Sequence, residues 1–151
     1  MRLLTSSLSK KICLILSLFI VSKANAQVAL SLIITDNIVT NAFKFDPPKP
    51  AAAKSVFYVH GEKGTQVFFY FNSTGTSELE KSGYRVRLIA YRTDNDKDEW
   101  VNELTYLLRK DDKYGIVAMN FFTPGQYKIV ISENADKSKV LATGNFSLEK
   151  N

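Results

Sequence analysis

From residue 55 onward the sequence is a succession of short runs of β-branched and aromatic residues, each closed within a few positions by glycine, proline, asparagine or aspartate. A chain punctuated this often has no room for long helices, and it buries its apolar side chains by pairing neighbouring runs into sheets. The clearest run is 84–92, where Tyr84, Val86, Leu88 and Ala90 alternate with Arg85, Arg87, Ile89 and Tyr91, the pattern of a strand with one buried face. Further strands are expected at 56–59, 66–71, 114–122, 126–132 and 140–148. They are separated by the Gly-flanked turn 60–64, the polar loop 72–82, Asp111-Asp112-Lys113, Thr123-Pro124-Gly125 and the polar loop 133–139. In 126–132 Tyr127, Ile129 and Ile131 share a face, and in 140–148 Val140, Ala142, Phe146 and Leu148 do so.

Ahead of these, 28–35 reads as a strand and 38–45 as a second apolar piece. The stretch 46–54 then places Pro47, Pro48 and Pro50 within four residues, which fixes extended backbone and removes ladder donors. This is a connection, and it is expected to carry the chain from one sheet to another, because 27–46 is too apolar for a disordered tail. The segment 94–110 departs from the β pattern. Trp100, Val101, Leu104, Leu107 and Leu108 form a helical stripe, Asp96 and Glu99 make a capping box, and Arg109-Lys110 suit a helix C-terminus, so a short helix is expected near 97–109. An irregular strand is the rival reading, since Trp100, Leu104, Tyr106 and Leu108 also share a period-2 face. Seven to eight short strands with turn signals between them predict an all-β, antiparallel sandwich.

The 151 residues carry 20 Lys+Arg against 15 Asp+Glu, a formal charge of +5. Residues 1–26 have the layout of a secretory signal: basic Arg2, Lys10 and Lys11, an apolar run at 12–21, and small residues at Ala24 and Ala26, which predict cleavage after Ala26. The apolar run is short for a span of about 30 Å of hydrocarbon, and no later run is long enough for a transmembrane segment. Removal of 1–26 takes away four basic residues and leaves 16 basic against 15 acidic in 27–151, so the basic footprint of a nucleic-acid partner disappears. The only cysteine, Cys13, lies in the same segment. An exported, cysteine-free domain has no disulfide and no thiolate chemistry, and must be held by its core; a periplasmic or extracellular bacterial setting is expected. The domain plan is a signal peptide at 1–26, N-terminal strands and a Pro-rich connection at 27–54, and a sandwich body at 55–151, with 27–151 as one domain.

The stretch Pro124-Gly125-Gln126-Tyr127-Lys128-Ile129-Val130-Ile131, with Lys139 to Phe146 after it, resembles the last two strands of bacterial immunoglobulin-like domains. The resemblance covers about residues 65–148. It implies an immunoglobulin-like sandwich in which Tyr127 forms a tyrosine corner, and it implies a fold rather than an activity.

Catalytic and cofactor chemistry finds little footing. His60 is the only histidine and sits in a Gly-flanked turn, which argues against a nucleophilic triad and against zinc. No phosphate-binding glycine motif occurs in 27–151. Asp94, Asp96 and Asp98 have the spacing that begins a calcium loop, but Glu99 and Thr105 stand where its glycine and bidentate acid belong, so they are a weak calcium candidate and read better as capping and solvation. Glu78, Glu80, Glu99 and Glu103 are the only material for a glycosidase-like pair and are expected on the surface. Sequons at Asn72 and Asn145 read as coincidence outside a eukaryotic secretory route.

The best binding candidate is an aromatic and basic face made of Phe68 and Tyr70 on one strand and Arg85, Arg87 and Tyr91 on the next, if those strands are neighbours. The expectation is therefore an exported, non-enzymatic binding or adhesion module with a protein or carbohydrate partner and no cofactor. A structural subunit of an envelope assembly is the alternative, and a small carboxylate-based hydrolase a further one.

Overall fold

The computed structural model describes residues 30–40, 48–72, 84–94, 97–108 and 114–151. The chain runs β1 (Ser31–Thr35), β2 (Ile38–Val39), β3 (Lys49–Pro50), β4 (Val56–Val59), a 3₁₀ turn at Gly61–Lys63, β5 (Thr65–Asn72), β6 (Tyr84–Arg92), β7 (Glu99–Leu108), β8 (Tyr114–Phe121), β9 (Gly125–Glu133) and β10 (Val140–Lys150). Two sheets carry the core. One has the order β1-β5-β8, the other β4-β10-β9-β6-β7, and β2 and β3 form a small pair of their own. All pairings are antiparallel except that of β4 with β10, which is parallel.

The strand order is that of an immunoglobulin-like sandwich. β1, β5 and β8 take the places of A, B and E, while β6, β9 and β10 take those of C, F and G, and β7 extends the second sheet as C′. The Pro-rich connection does cross between sheets: β1 lies in the three-stranded sheet and β4, beyond it, in the five-stranded one. Pro50 is tolerated there because it sits in the two-residue β3, outside both main ladders.

Alternation decides which side chains enter the core. Val67, Phe69 and Phe71 of β5 face Val86, Leu88 and Ala90 of β6 and Ile129 and Ile131 of β9, and all eight are fully buried. The aromatic centre is a cluster of edge-to-face contacts that fixes the two sheets against each other: Phe121 lies 6.3 Å from Phe69 and 5.1 Å from Phe146, and Phe57 lies 5.5 Å from Phe146. Tyr127 stacks on Phe146 at 5.2 Å, and its hydroxyl donates to the Thr123 carbonyl at 2.6 Å. This is the tyrosine corner that the Pro-Gly turn signalled. At Gly115 a Cβ would stand 2.2 Å from the Phe71 ring, so only glycine lets that ring lie between β5 and β8.

The segment expected to be a short helix is a strand. Glu99–Leu108 pairs along its whole length with β6, because β6 would otherwise present an unpaired backbone edge over a wide apolar face. The helical spacing of Trp100, Val101, Leu104, Leu107 and Leu108 is overridden by that pairing. A register shift between Ala90 and Tyr91 sets Asn102 opposite Ala90 and Trp100 opposite Tyr91, leaving Val101 as a bulge residue. The bulge separates Trp100 from the period-2 face of Leu104, Tyr106 and Leu108 and turns it outward with Tyr91.

Candidate functional site

The five residues singled out from the sequence fall into two groups on opposite sides of the molecule. Phe68 and Tyr70 are half-buried on the outer surface of the three-stranded sheet, where Tyr70 stacks on Tyr114 at 5.8 Å. Burial, with a smaller contribution from Tyr114, raises the Tyr70 phenol above its ordinary value. Arg85, Arg87 and Tyr91 point outward from the five-stranded sheet. The single face spanning β5 and β6 does not form, because these two strands are consecutive in sequence but belong to different sheets.

An aromatic and basic surface is nevertheless present, built from β6, β7 and β9. Register places Tyr91 between Trp100 and Lys128, Arg87 between Thr105 and Ser132, and Arg85 opposite Leu107. Arg87 is held in place: Nη1 lies 2.9 Å from Glu103 Oε1, and Nη2 donates to Asn134 Oδ1 at 3.3 Å. Its role is to tie β6 to β7 and to the loop after β9, whereas Arg85 is exposed. Lys128 pairs with Asp98 at 2.8 Å and so anchors the approach to β7.

β7 is the feature that sequence reasoning missed. It is ten residues long, and β6 is its only strand neighbour among the described residues. Trp100 is 60% exposed, Leu107 47% and Leu104 39%. The Leu104 value is informative, since Leu104 pairs with Leu88, which is 0% exposed on the core side. Around Leu104 the five-stranded sheet therefore extends past the three-stranded one, whereas Leu108 of the same strand is buried and Tyr106 packs edge-on against Phe71; both faces of β7 show an apolar side chain to solvent. The signal in the sequence was the period-2 alternative for Trp100, Leu104, Tyr106 and Leu108; without the bulge it put Trp100 on the wrong face.

The other candidates are occupied by structural contacts. Asp94 pairs with Arg92 and accepts the Gln126 N–H at 3.1 Å, and Asp98 is taken by Lys128; Asp96 lies outside the described residues. Glu103 is paired with Arg87, Glu99 is exposed, and Glu78 and Glu80 lie outside the described residues. His60 is exposed beside a shallow cleft lined by Asp36, Lys54, Tyr58 and Thr65, in which Lys54 pairs with Asp36 and the Thr65 hydroxyl donates to the Tyr58 carbonyl. Among the described residues no group of three or more metal-ligating side chains is assembled, and no helix is long and apolar enough to cross a membrane.

No protein-family model matches the chain, and no curated protein matches it in sequence. Among solved structures, it is similar to an immunoglobulin-like protein from Pseudomonas aeruginosa, at 11% identity over 82% of this chain and 99% of that one, with a TM-score of 0.44.

Proposed function

We propose that the protein is exported to the cell envelope or beyond and acts there as a non-catalytic binding module, with the β7 edge as its recognition surface and a partner protein as what it recognises. The observation that carries this reading is a long strand bearing Trp100, Leu104 and Leu107, whose outer flank no strand pairs with among the described residues. A free edge offers a row of backbone donors and acceptors, and exposed large side chains on both of its faces supply the apolar contacts that strand addition uses. Export enters through residues 1–26, with cleavage after Ala26 leaving 27–151 as the working domain.

Two measurements test the two halves. Mass spectrometry of the protein recovered from envelope or medium fractions is expected to find an N-terminus at Gln27; retention of residues 1–26 in a cytosolic form would overturn export. A photo-crosslinking residue placed at Leu107 is expected to give a protein adduct of defined mass, whereas the same residue at the exposed Ala118 of β8 gives none. Equal labelling at both positions, or none at Leu107, refutes β7 as the recognition edge.

A further inference from the structure

We infer that the β7 edge pairs with the β7 edge of a second copy of this chain, antiparallel about a two-fold axis at Thr105, to make one continuous sheet of ten strands. The inference rests on the reading of β7 as the recognition surface and names its partner.

An antiparallel strand pair across a two-fold is isologous, so one edge must complement itself. With the axis at Thr105, Leu104 of each copy lies opposite Tyr106 of the other on the core side, covering the leucine that the three-stranded sheet leaves exposed. On the outer side Leu107 lies opposite Glu103 of the second copy. Because Arg85 is the β6 neighbour of Leu107, it comes within two strand spacings, about 10 Å, of that carboxylate. Two extended side chains bridge this distance, so each Glu103, already held at 2.9 Å by Arg87 of its own chain, gains Arg85 of the other.

Charge selects this register over its neighbours. With the axis at Leu104, Glu103 would face Thr105 and approach Arg87, which already holds the Glu103 of its own chain, and Arg85 would gain no acid. With the axis at Tyr106, Leu107 would face Thr105, and Arg85 would again gain no acid. Of the other acids at β7, Asp98 is neutralised by Lys128 and Glu99 stands opposite Arg92 in the register with β6.

Cysteine chemistry tests the axis directly, because Cys13 is the only cysteine in the chain. In the full-length chain carrying Cys13→Ser, Thr105→Cys is expected to form a disulfide-linked dimer under mild oxidation. Directly opposed residues of antiparallel strands have Cα atoms about 4.5–5.5 Å apart, within disulfide range. Leu107→Cys alone, displaced from the axis, is expected to crosslink far less. By light scattering, Leu104→Lys should convert dimer to monomer, and Arg85→Glu should raise the dissociation constant by about tenfold. Both side chains are exposed, and an unchanged circular dichroism spectrum shows that the fold persists. A monomer at all concentrations with no Thr105→Cys dimer overturns the inference; if the Leu107 photo-adduct with another protein is still formed, the wider reading of β7 stands without it. Efficient crosslinking at Leu107 and not at Thr105 also overturns the proposed axis.

Discussion

On the three-stranded sheet the outward positions are Ser31 and Ile33 of β1, Gln66, Phe68, Tyr70 and Asn72 of β5, and Tyr114, Ile116, Ala118 and Asn120 of β8, with no charge among them, while Thr35 at the end of β1 is fully buried and its hydroxyl donates to the Ala52 carbonyl. On the five-stranded sheet the outward positions include Arg85, Arg87, Glu103 and Lys128, and ion pairs cross between β6 and β7 and between β9 and the approach to β7. The neutral face holds Phe68 and Tyr70 on its central strand and Ile33, Tyr114 and Ile116 on the flanking strands, all of them half-buried. The charged face lets Trp100 and Leu107 stand at its rim, where only one neighbour exists. The more polar of the two surfaces thus presents the larger exposed apolar groups, at its β7 edge. A reading based on residue type alone does not separate the half-buried Phe68 and Tyr70 from the exposed Trp100.

The largest expected effect comes from beneath the neutral face. Gly115→Ala puts a methyl group 2.2 Å from the ring of fully buried Phe71, which has no room to withdraw. A loss of about 3 kcal/mol in denaturant unfolding is expected, and a loss below about 1 kcal/mol would show that the β5–β8 pairing is looser than described.

A smaller pair of changes sharpens the contrast between the faces. Tyr70→Ala removes a half-buried ring and its stack on Tyr114 and should cost about 2 kcal/mol with little dependence on salt. Arg87→Met removes the ion pair with Glu103, in which the side chains are 16% and 30% exposed, and should cost about 1 kcal/mol, with a smaller cost at high ionic strength. The comparison fails if the two variants show the same salt dependence.

The smallest effect lies away from both faces, in the turn after β9. The Ser138 hydroxyl and N–H both donate to Asp136 Oδ1, at 2.6 and 2.9 Å, and hold its carboxyl below the ordinary aspartate value. A depressed carboxylate stabilises the fold above its unfolded-state value, and that contribution disappears as pH falls through the folded-state value. An NMR titration of Asp136 should therefore show a low midpoint that returns toward normal in Ser138→Ala; an unchanged midpoint would separate the shift from this turn.

Most of the architecture was legible in the sequence. Strict alternation at 84–92 gave β6, and the signals at 56–59 gave β4, because a strand with one buried face writes its own period. Tyr127 after Pro124-Gly125 announced a corner that the hydroxyl contact with Thr123 completes. Two things were hidden. Alternation tells which face a side chain takes but not which sheet its strand joins, so Phe68 and Arg87 were placed together when they lie on opposite sides. The stripe from Trp100 to Leu108 fits a helix in isolation, and only the demand of β6 for a partner, with a bulge at Tyr91, resolves it as a strand with its tryptophan in solvent.

The parallel pairing of β4 with β10 has a mechanical consequence. Register runs from Val56 with Ser147 to Val59 with Lys150, and the Ser147 N–H donates to the Ser55 carbonyl at 2.8 Å. Tension applied between the chain entering β4 and the chain leaving β10 pulls these strands past one another lengthwise. Their hydrogen bonds then bear load together, in shear, instead of opening one at a time like a zip. Four residues in this orientation therefore resist such tension together and not one hydrogen bond at a time.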